Sequence, residues 1–574
     1  MAETILLSPG ILTRENDQSP TSQLPVSVGA AILGPTLKGP VELPTIVTSF
    51  NEFTTVFGGL VESGSNTYSY LTSISANNYF QNGGNSLLVT RVTSGSFTPA
   101  TSSIIPNYYN TSASFVLETL SEGIIMNSGD TETSNGALTL GTQDNVRWEI
   151  ATVNTSSGNF SLLIRRGNDT QTQKVVLESY NNISLDPHAS NYISKVIGDS
   201  TDNLVNNGMD YYIQSSGSYS NISRFVRVKS VDYKTPLYFD NNGTAKDEFT
   251  GSLPIVSSGS FGSAVGSNIP SDRTANFYNQ IDDTDTQGLV PEDYDNAISL
   301  LGNVDEFQFN VISAPGLVYS LQDHGSRLTS LVNNSISRGD SIAIIDLVPY
   351  GSQVNTVIQQ SSAFDSSYVA TYWPWLQTID PNTSQLVFVP ASTFIPGIFA
   401  YTDATGDPWL APAGLTRGGL GQVTKAERKL TSGQKNDLYE ANINPINTFP
   451  SQGIVVYGQK NLQKRATALD RIGVRRLLIE LKSHIGQIAN TLVFEQNTIA
   501  TRNNFLTQVN PYLETVQQRE GLYTFKVVMD ETNNSPSTID RLELIGQIFI
   551  QPTRTVEFII LDFNITPTGA TFPV

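Results

Sequence analysis

The chain has 574 residues, enough at roughly 150 per domain for about three or four domains, each able to bury its own core. It contains no cysteine, which removes thiol catalysis, disulfide frameworks and thiolate metal sites; its three histidines, His188, His324 and His484, are too scattered to suggest a zinc site or a triad. With 33 basic against 52 acidic residues the net charge is −19, which disfavours nucleic acid and anionic membrane as partners. The opening Met-Ala-Glu-Thr-Ile-Leu-Leu has no basic stretch and no long apolar run, so it is not read as a secretory signal, and no 18-residue apolar segment follows anywhere.

In chain order, residues 1–20 read as an arm: Ile5, Leu6 and Leu7 form a short apolar run, broken by Pro9-Gly10 and followed by a solvated turn. The segments 26–33 and 86–92 read as strands, with a short helix near 67–81 between them. Residues 93–270 turn rich in Ser, Thr, Asn and Gly, with short β-type runs at 160–164, 174–177 and 224–228. They form an all-β insertion expected to close through a linker at 259–268. An α/β pattern then returns over 271–440, with buried strands at 307–312 and 341–346 around a helix over 317–336 carrying Leu317, Leu321, Leu328 and Leu331. A third strand of that sheet is expected at 385–389.

The segment 441–555 reads as a C-terminal α+β unit. It has a strand at 453–457, an amphipathic helix through Val474, Leu477, Leu481, Ile485 and Ile488, and a second helix through Ile499, Leu506, Val509, Leu513 and Val516, where Pro511 is expected to introduce a kink or begin a new turn. Strands follow at 523–529, 544–550 and 555–565, the last running into a final arm, 556–574. The fold class is therefore α+β and multidomain: a core of mixed α/β sheets in two parts (21–92 and 271–440), a large all-β insertion, and a C-terminal α+β domain. Neither an internal repeat nor a heptad run is present.

Motifs that suggest chemistry are weak. Arg338-Gly-Asp340 leads straight into a buried strand and reads as a turn. Asp282, Asp283 and Asp285, with Glu292, Asp293 and Asp295, lack the ligand spacing of a calcium loop. Gly34–Gly39 is not followed by a Lys-Ser/Thr pair, and Arg417-Gly-Gly-Leu-Gly421 lacks the dinucleotide spacing. Trp373, Trp375 and Trp409 sit beside prolines and apolar neighbours and read as packing anchors. No enzyme activity and no cofactor is expected.

Several segments taken together resemble the contractile tail-sheath family of myophages. They are Ser8-Pro-Gly-Ile-Leu-Thr-Arg-Glu15, Gly29–Pro40 with Phe53, Phe57 and Gly58, Phe80-Gln-Asn-Gly-Gly84, and Glu178–Pro187 with Tyr192. The others are Ser367–Leu376, Trp409-Leu-Ala-Pro-Ala-Gly414 with Arg417-Gly418, Val456–Gln459, Arg475-Arg-Leu477, Phe494-Glu495 with Asn497, and Asn533-Asn534. The resemblance implies a non-catalytic virion subunit, assembled in the host cytoplasm, that stacks as hexameric rings in a helical lattice around a tail tube protein. Baseplate and tail terminator proteins would be its other partners, with no nucleic acid and no membrane insertion. It also implies that terminal arms add strands to neighbouring copies, here through Ile5, Leu6, Leu7, Ile11 and Leu12 at one end and Val556, Phe558 and Ile560 at the other. Hinges are expected at 13–25 and before 555.

The C-terminal domain is implied to face the tube. Residues 451–521 hold nine basic against five acidic side chains, and Lys464, Arg465, Arg471, Arg475 and Lys482 are the tube-facing candidates. Two other readings stay open: the sheath of a phage-derived bacterial injection particle, and, in another class, a surface adhesin or carbohydrate-binding β protein.

Overall fold

A computed structural model describes residues 27–63, 66–109, 113–127, 132–208, 211–268, 277–450 and 452–557. The proposed N-terminal arm, with Ile5, Leu6, Leu7, Ile11 and Leu12, lies outside these residues, as do Phe558 and Ile560.

The core is an eight-stranded sheet. Its order is Gly453–Val456, Asn444–Phe449, Val369–Trp373, Ile342–Asp346, Val311–Val318, Ala30–Gly34, Leu87–Arg91, Thr45–Val47. Every inner neighbour pair is parallel, and the strand at each edge runs antiparallel. Parallel strands covered on both faces must be apolar on both sides, and Ala30–Gly34, Ile342–Asp346 and Val369–Trp373 are buried at every position. One face is covered by the helix Leu71–Gln81, buried from Leu71 to Tyr79 and lying against the helix Ile395–Thr405. The other face holds Leu328, Leu331 and Val332 of the helix His324–Arg338.

Three expectations are corrected in the core. The strand expected at 307–312 divides into Gln308–Phe309, outside the core sheet, and Val311–Val318 within it, so Leu317 is a strand residue and the helix starts only at His324. The regular leucine spacing misled because Pro315-Gly316 does not end the strand but lies within a register shift against Ile342–Asp346. Leu386–Val389 does not join the core sheet; it belongs to a separate antiparallel sheet with Leu376–Ile379 and Val423–Ala426. Asn444–Phe449 and Gly453–Val456, expected in the C-terminal unit, instead finish the core sheet. Arg338-Gly-Asp340 is a helix stop: Gly339 takes the left-handed conformation (φ 71°), and Arg338 folds back onto Asp340 at 2.8 Å.

The insertion forms a seven-stranded antiparallel sheet in the order Val176–Ser184, Asn159–Arg166, Val146–Asn154, Ser257–Gly262, Pro99–Ser102, Phe115–Glu122, Val226–Val231. Its core is built on Trp148, Phe115 and Phe160, the last two stacked 5.5 Å apart. The Gly/Ser stretch expected as a linker therefore contributes a central strand. Glycine is required there, because a Cβ on Gly259 would stand 2.5 Å from the Trp148 ring. The two ends of the insertion meet: Ser94 N donates to Asn268 Oδ1 (3.1 Å), and Asn268 Nδ2 donates to the Val92 carbonyl (3.3 Å).

The C-terminal unit has a separate apolar cluster. Leu477 and Leu481 of the helix Ile472–Asn490 meet Phe505, Val509, Leu513 and Val516 of the helix Ile499–Gln518. The second helix continues unbroken past Pro511, with its N-terminus capped by Thr498. Burial of Val509 and Leu513 on either side offsets the roughly 3 kcal/mol that an internal proline costs. The strands Leu522–Val528 and Gln547–Pro552 form a hairpin sheet beyond the helices. The expected strand from 555 does not begin where proposed: 555–557 carry no regular structure, and the rest lies outside the described residues.

Candidate inter-subunit surface and the joints behind it

The hairpin is the least complete sheet of the C-terminal unit. In the register Phe525↔Ile550 and Val527↔Ile548, these four side chains point to the helical cluster. They are only half-buried, and so are Leu478, Ile485, Ile488 and Leu506 on the helices beneath. The opposite face shows Tyr523 and Phe549 to solvent at 74% and 57% exposure. Among the described residues neither strand has a second strand partner; side chains of Gln517 and Asn533 bond the Tyr523 and Val528 carbonyls. A two-stranded ribbon is marginal alone and gains stability from further strands, and unpaired edges accept an extended segment by main-chain hydrogen bonding.

The basic stretch before it is largely committed within the chain. Arg475 is only 6% exposed; it donates to Ser367 Oγ (2.5 Å) and Tyr368 OH (3.1 Å), and its guanidinium lies over the Tyr368 ring. Burial lowers its pKa, partly opposed by Tyr368. Arg471 is taken up by Glu557 and Asp470, Arg476 by Asp403 at 2.6 Å, and Arg519 by Asp407 at 2.6 Å. Of the tube-facing candidates, Arg471 and Arg475 are thus engaged within the chain, Arg471 by carboxylates and Arg475 by hydroxyls: sequence counting registers charge but not the partners that hold it. Lys464, Arg465 and Lys482 remain exposed, Lys464 donating through Nζ to the Ser362 carbonyl (2.7 Å).

These pairs join the C-terminal unit to the core. Trp409 reinforces the joint: its indole N–H donates to the Arg519 carbonyl (3.0 Å), and a Cβ on Gly521 would come within 3.0 Å of its ring. Trp373 and Trp375 are core residues, Trp375 donating to the Val348 carbonyl (3.1 Å). Glu557, which the sequence did not mark, is the remaining member. It accepts from Arg471 (2.6 and 2.8 Å), Tyr439 OH (2.9 Å) and Gln459 Nε2 (3.0 Å). Burial works to raise its pKa, but these donors outweigh it and hold the carboxyl below the usual range, while burial and the neighbouring carboxylate raise that of Tyr439. No spacing motif announces Glu557, because its partners come from three separate segments.

The acidic run is occupied locally. Asp282 accepts from the Thr284 and Asp285 N–H groups, Asp283 from Gln322 N–H and Asp293 from Val290 N–H, while Glu292 and Asp295 share Arg327. No cluster of His, Asp and Glu suited to a metal ion occurs among the described residues. No helix of the described residues is long and apolar enough to cross a membrane.

Comparison with known proteins gives this surface a context. Residues 287–462 match the phage tail sheath protein central domain, and residues 465–566 the phage tail sheath C-terminal domain. The tail sheath protein of Vibrio phage KVP40 is 41% identical over 185 residues, covering 32% of this chain and 28% of the relative. That of Enterobacteria phage T4 is 34% identical over 230 residues, covering 40% and 35%. The matched part of the chain thus spans about a third of the length of these relatives. A sheath tail protein from Listeria innocua shares the fold, with a TM-score of 0.50, 10% identity, and coverage of 92% of this chain and 96% of that one.

Proposed function

The chain belongs to the contractile phage tail sheath family, and from that premise we propose that it is the structural subunit of a contractile tail sheath. In this reading, copies stack as hexameric rings around the tail tube in a helical lattice bounded by baseplate and terminator proteins. The lattice then shortens to drive the tube through a bacterial envelope and deliver the genome. The observation that carries the reading is the hairpin Leu522–Val528/Gln547–Pro552, whose strands have no further strand partner among the described residues and lie over half-covered apolar side chains.

Ile5, Leu6, Leu7, Ile11 and Leu12 from one copy, and Val556, Phe558 and Ile560 from another, supply strands that widen the ribbon. Each added strand satisfies edge backbone groups and covers apolar side chains left half-exposed. Contraction then needs two packings of the same subunit that keep these shared strands, with energy from intersubunit contact rather than nucleotide hydrolysis. Lys464, Arg465 and Lys482 face the tube as weak, repeated contacts. The insertion, whose two chain ends meet beside the core, sits at the outer radius.

Negative-stain microscopy of the purified chain tests the proposal. The full chain forms hollow tubes, and removal of residues 2–20 abolishes them while circular dichroism of the monomer is unchanged. Full-length chain that stays monomeric beside assembled tail tubes overturns it.

A further inference from the structure

The last described residues cross from the C-terminal unit back to the core. The hairpin ends at Pro552, and Thr553 N–H still bonds to the Gly521 carbonyl (3.3 Å). Arg554, Thr555 and Val556 are exposed, Val556 to 73%. Glu557 then enters a socket built from core-side segments: Tyr439 of the helix Ser432–Glu440, Gln459 just past the edge strand Gly453–Val456, and Arg471 just before the helix Ile472–Asn490.

The fit is that of a built site. Oε1 takes Arg471 Nε (2.6 Å) and Gln459 Nε2 (3.0 Å), while Oε2 takes Arg471 Nη2 (2.8 Å) and Tyr439 OH (2.9 Å). The guanidinium fork grips the carboxylate through two parallel bonds, the geometry that combines strength with a fixed direction. The walls are themselves braced. Arg471 Nη1 meets Asp470 at 2.9 Å, Lys460 Nζ donates to the Tyr439 carbonyl at 2.7 Å, and Ile472 N–H bonds to the Gln459 carbonyl at 2.8 Å.

We propose that Glu557 is the pin of the C-terminal arm, fixing to the core sheet the point from which the chain departs toward a neighbouring copy. The inference rests on the sheath reading for what the arm does, and on the socket alone for where it is held. Load passed between copies enters the core through Gln459 and Arg471, beside the edge strand Gly453–Val456, and bypasses the hairpin. A hairpin packed mainly through half-buried side chains is a poor place to receive such load. The segment leading to Glu557 is accordingly held, and is not the hinge expected before 555.

Because the chain has no cysteine, a single Val556→Cys substitution carries a nitroxide cleanly. On the isolated chain the label reports slow motion, and adding Glu557→Gln converts it to fast motion. Tyr439→Phe, which removes one bond of four, gives an intermediate spectrum and covers the case in which the stronger variant folds poorly. A spectrum indifferent to both substitutions overturns the pin. In polymers, Glu557→Gln subunits dissociate about tenfold faster on dilution, the effect of losing one charge-assisted contact, and Glu557→Arg with Arg471→Glu recovers part of the loss. Equal dissociation rates would also overturn it. Native chain that forms no polymer removes the sheath reading, while the label on the isolated chain still decides the pin.

Discussion

The insertion and the C-terminal hairpin are both antiparallel, yet they treat their edges in opposite ways. In the insertion the outermost strands, Val176–Ser184 and Val226–Val231, are brought together. The short helix Ile193–Ile197 touches both, and Glu178 on the first strand accepts from Ser223 Oγ (2.6 Å) and Arg224 N–H (2.9 Å) just ahead of the second. Both strands carry a register shift, and Lys229 and Glu178 add charge, devices that discourage pairing with another chain.

The insertion's buried charges are also answered within it. Arg165 bonds Asp169 (2.7 and 2.8 Å) and Glu149 (2.6 Å), Lys174 takes the other Glu149 oxygen, and Arg147 reaches Asp169 and Glu132. The hairpin carries a register shift at Leu522/Thr524 and one charge, Lys526, but among the described residues it has only two strands, with aromatic side chains in solvent. One sheet has its outer strands drawn together, and the other, among the described residues, stops at two strands.

Four sets of substitutions sharpen or break this contrast. The largest effect is expected from Trp148→Ala, which empties the centre of the insertion and costs about 3–5 kcal/mol in denaturant unfolding. Tube formation should survive it, and loss of tubes would show that the two sheets are not independent. Arg165→Met follows closely. It leaves the Asp169 carboxylate buried without its main partner, and breaking such a pair costs about 3–5 kcal/mol, at the lower end here because Arg147 still lies 3.6 Å away.

Third is the seam between insertion and core, where Glu122 N–H bonds the Gly39 carbonyl and the buried Arg91 donates to the Gly39 and Glu122 carbonyls. Burial pushes the Glu122 carboxyl up to about 7, with Arg91 and Arg227 opposing. The folded form therefore keeps its proton over a range where the unfolded chain has lost it. Stability from this group is present below about pH 4.5 and falls as pH rises to about 7. Asp346, buried in the core sheet beside Ser392 and likewise raised to about 7 by burial, adds a fall of the same sign. Glu122→Gln should flatten part of the pH profile of thermal unfolding, and adding Asp346→Asn should flatten it further. The smallest effect is Lys464→Glu with Arg465→Glu, worth less than about 1 kcal/mol per subunit for exposed charges and visible only as weaker assembly on tubes at low salt.

Much of this was legible in the sequence, for reasons that differ by region. Apolar runs such as Ile342–Asp346 mark buried parallel strands, and the spacing of Leu477, Leu481, Val509 and Leu513 marks the helix pair, because periodicity reports directly on burial. The helix Leu71–Gln81 is buried on nearly every side, so its face pattern vanishes and only its length betrays it. Gly259 reads as a linker residue until the Trp148 ring beside it is seen. The basic residues of 451–521 look available until their partners, Asp403, Asp407 and Glu557, are placed by the fold. Pairing across long separations carries no local signature, and that is where the reading of the surface charge went astray.

The central claim, that the hairpin takes its missing strands from other copies, has a direct test in a chain without cysteine. Chains bearing only Leu6→Cys are mixed with chains bearing only Phe549→Cys or Tyr523→Cys, allowed to form tubes, and oxidised. Strand donation between copies predicts covalent dimers, found in mixed tubes and absent from either population alone. A single chain bearing both cysteines that closes only on itself, with no dimers from the mixture, would contradict the account.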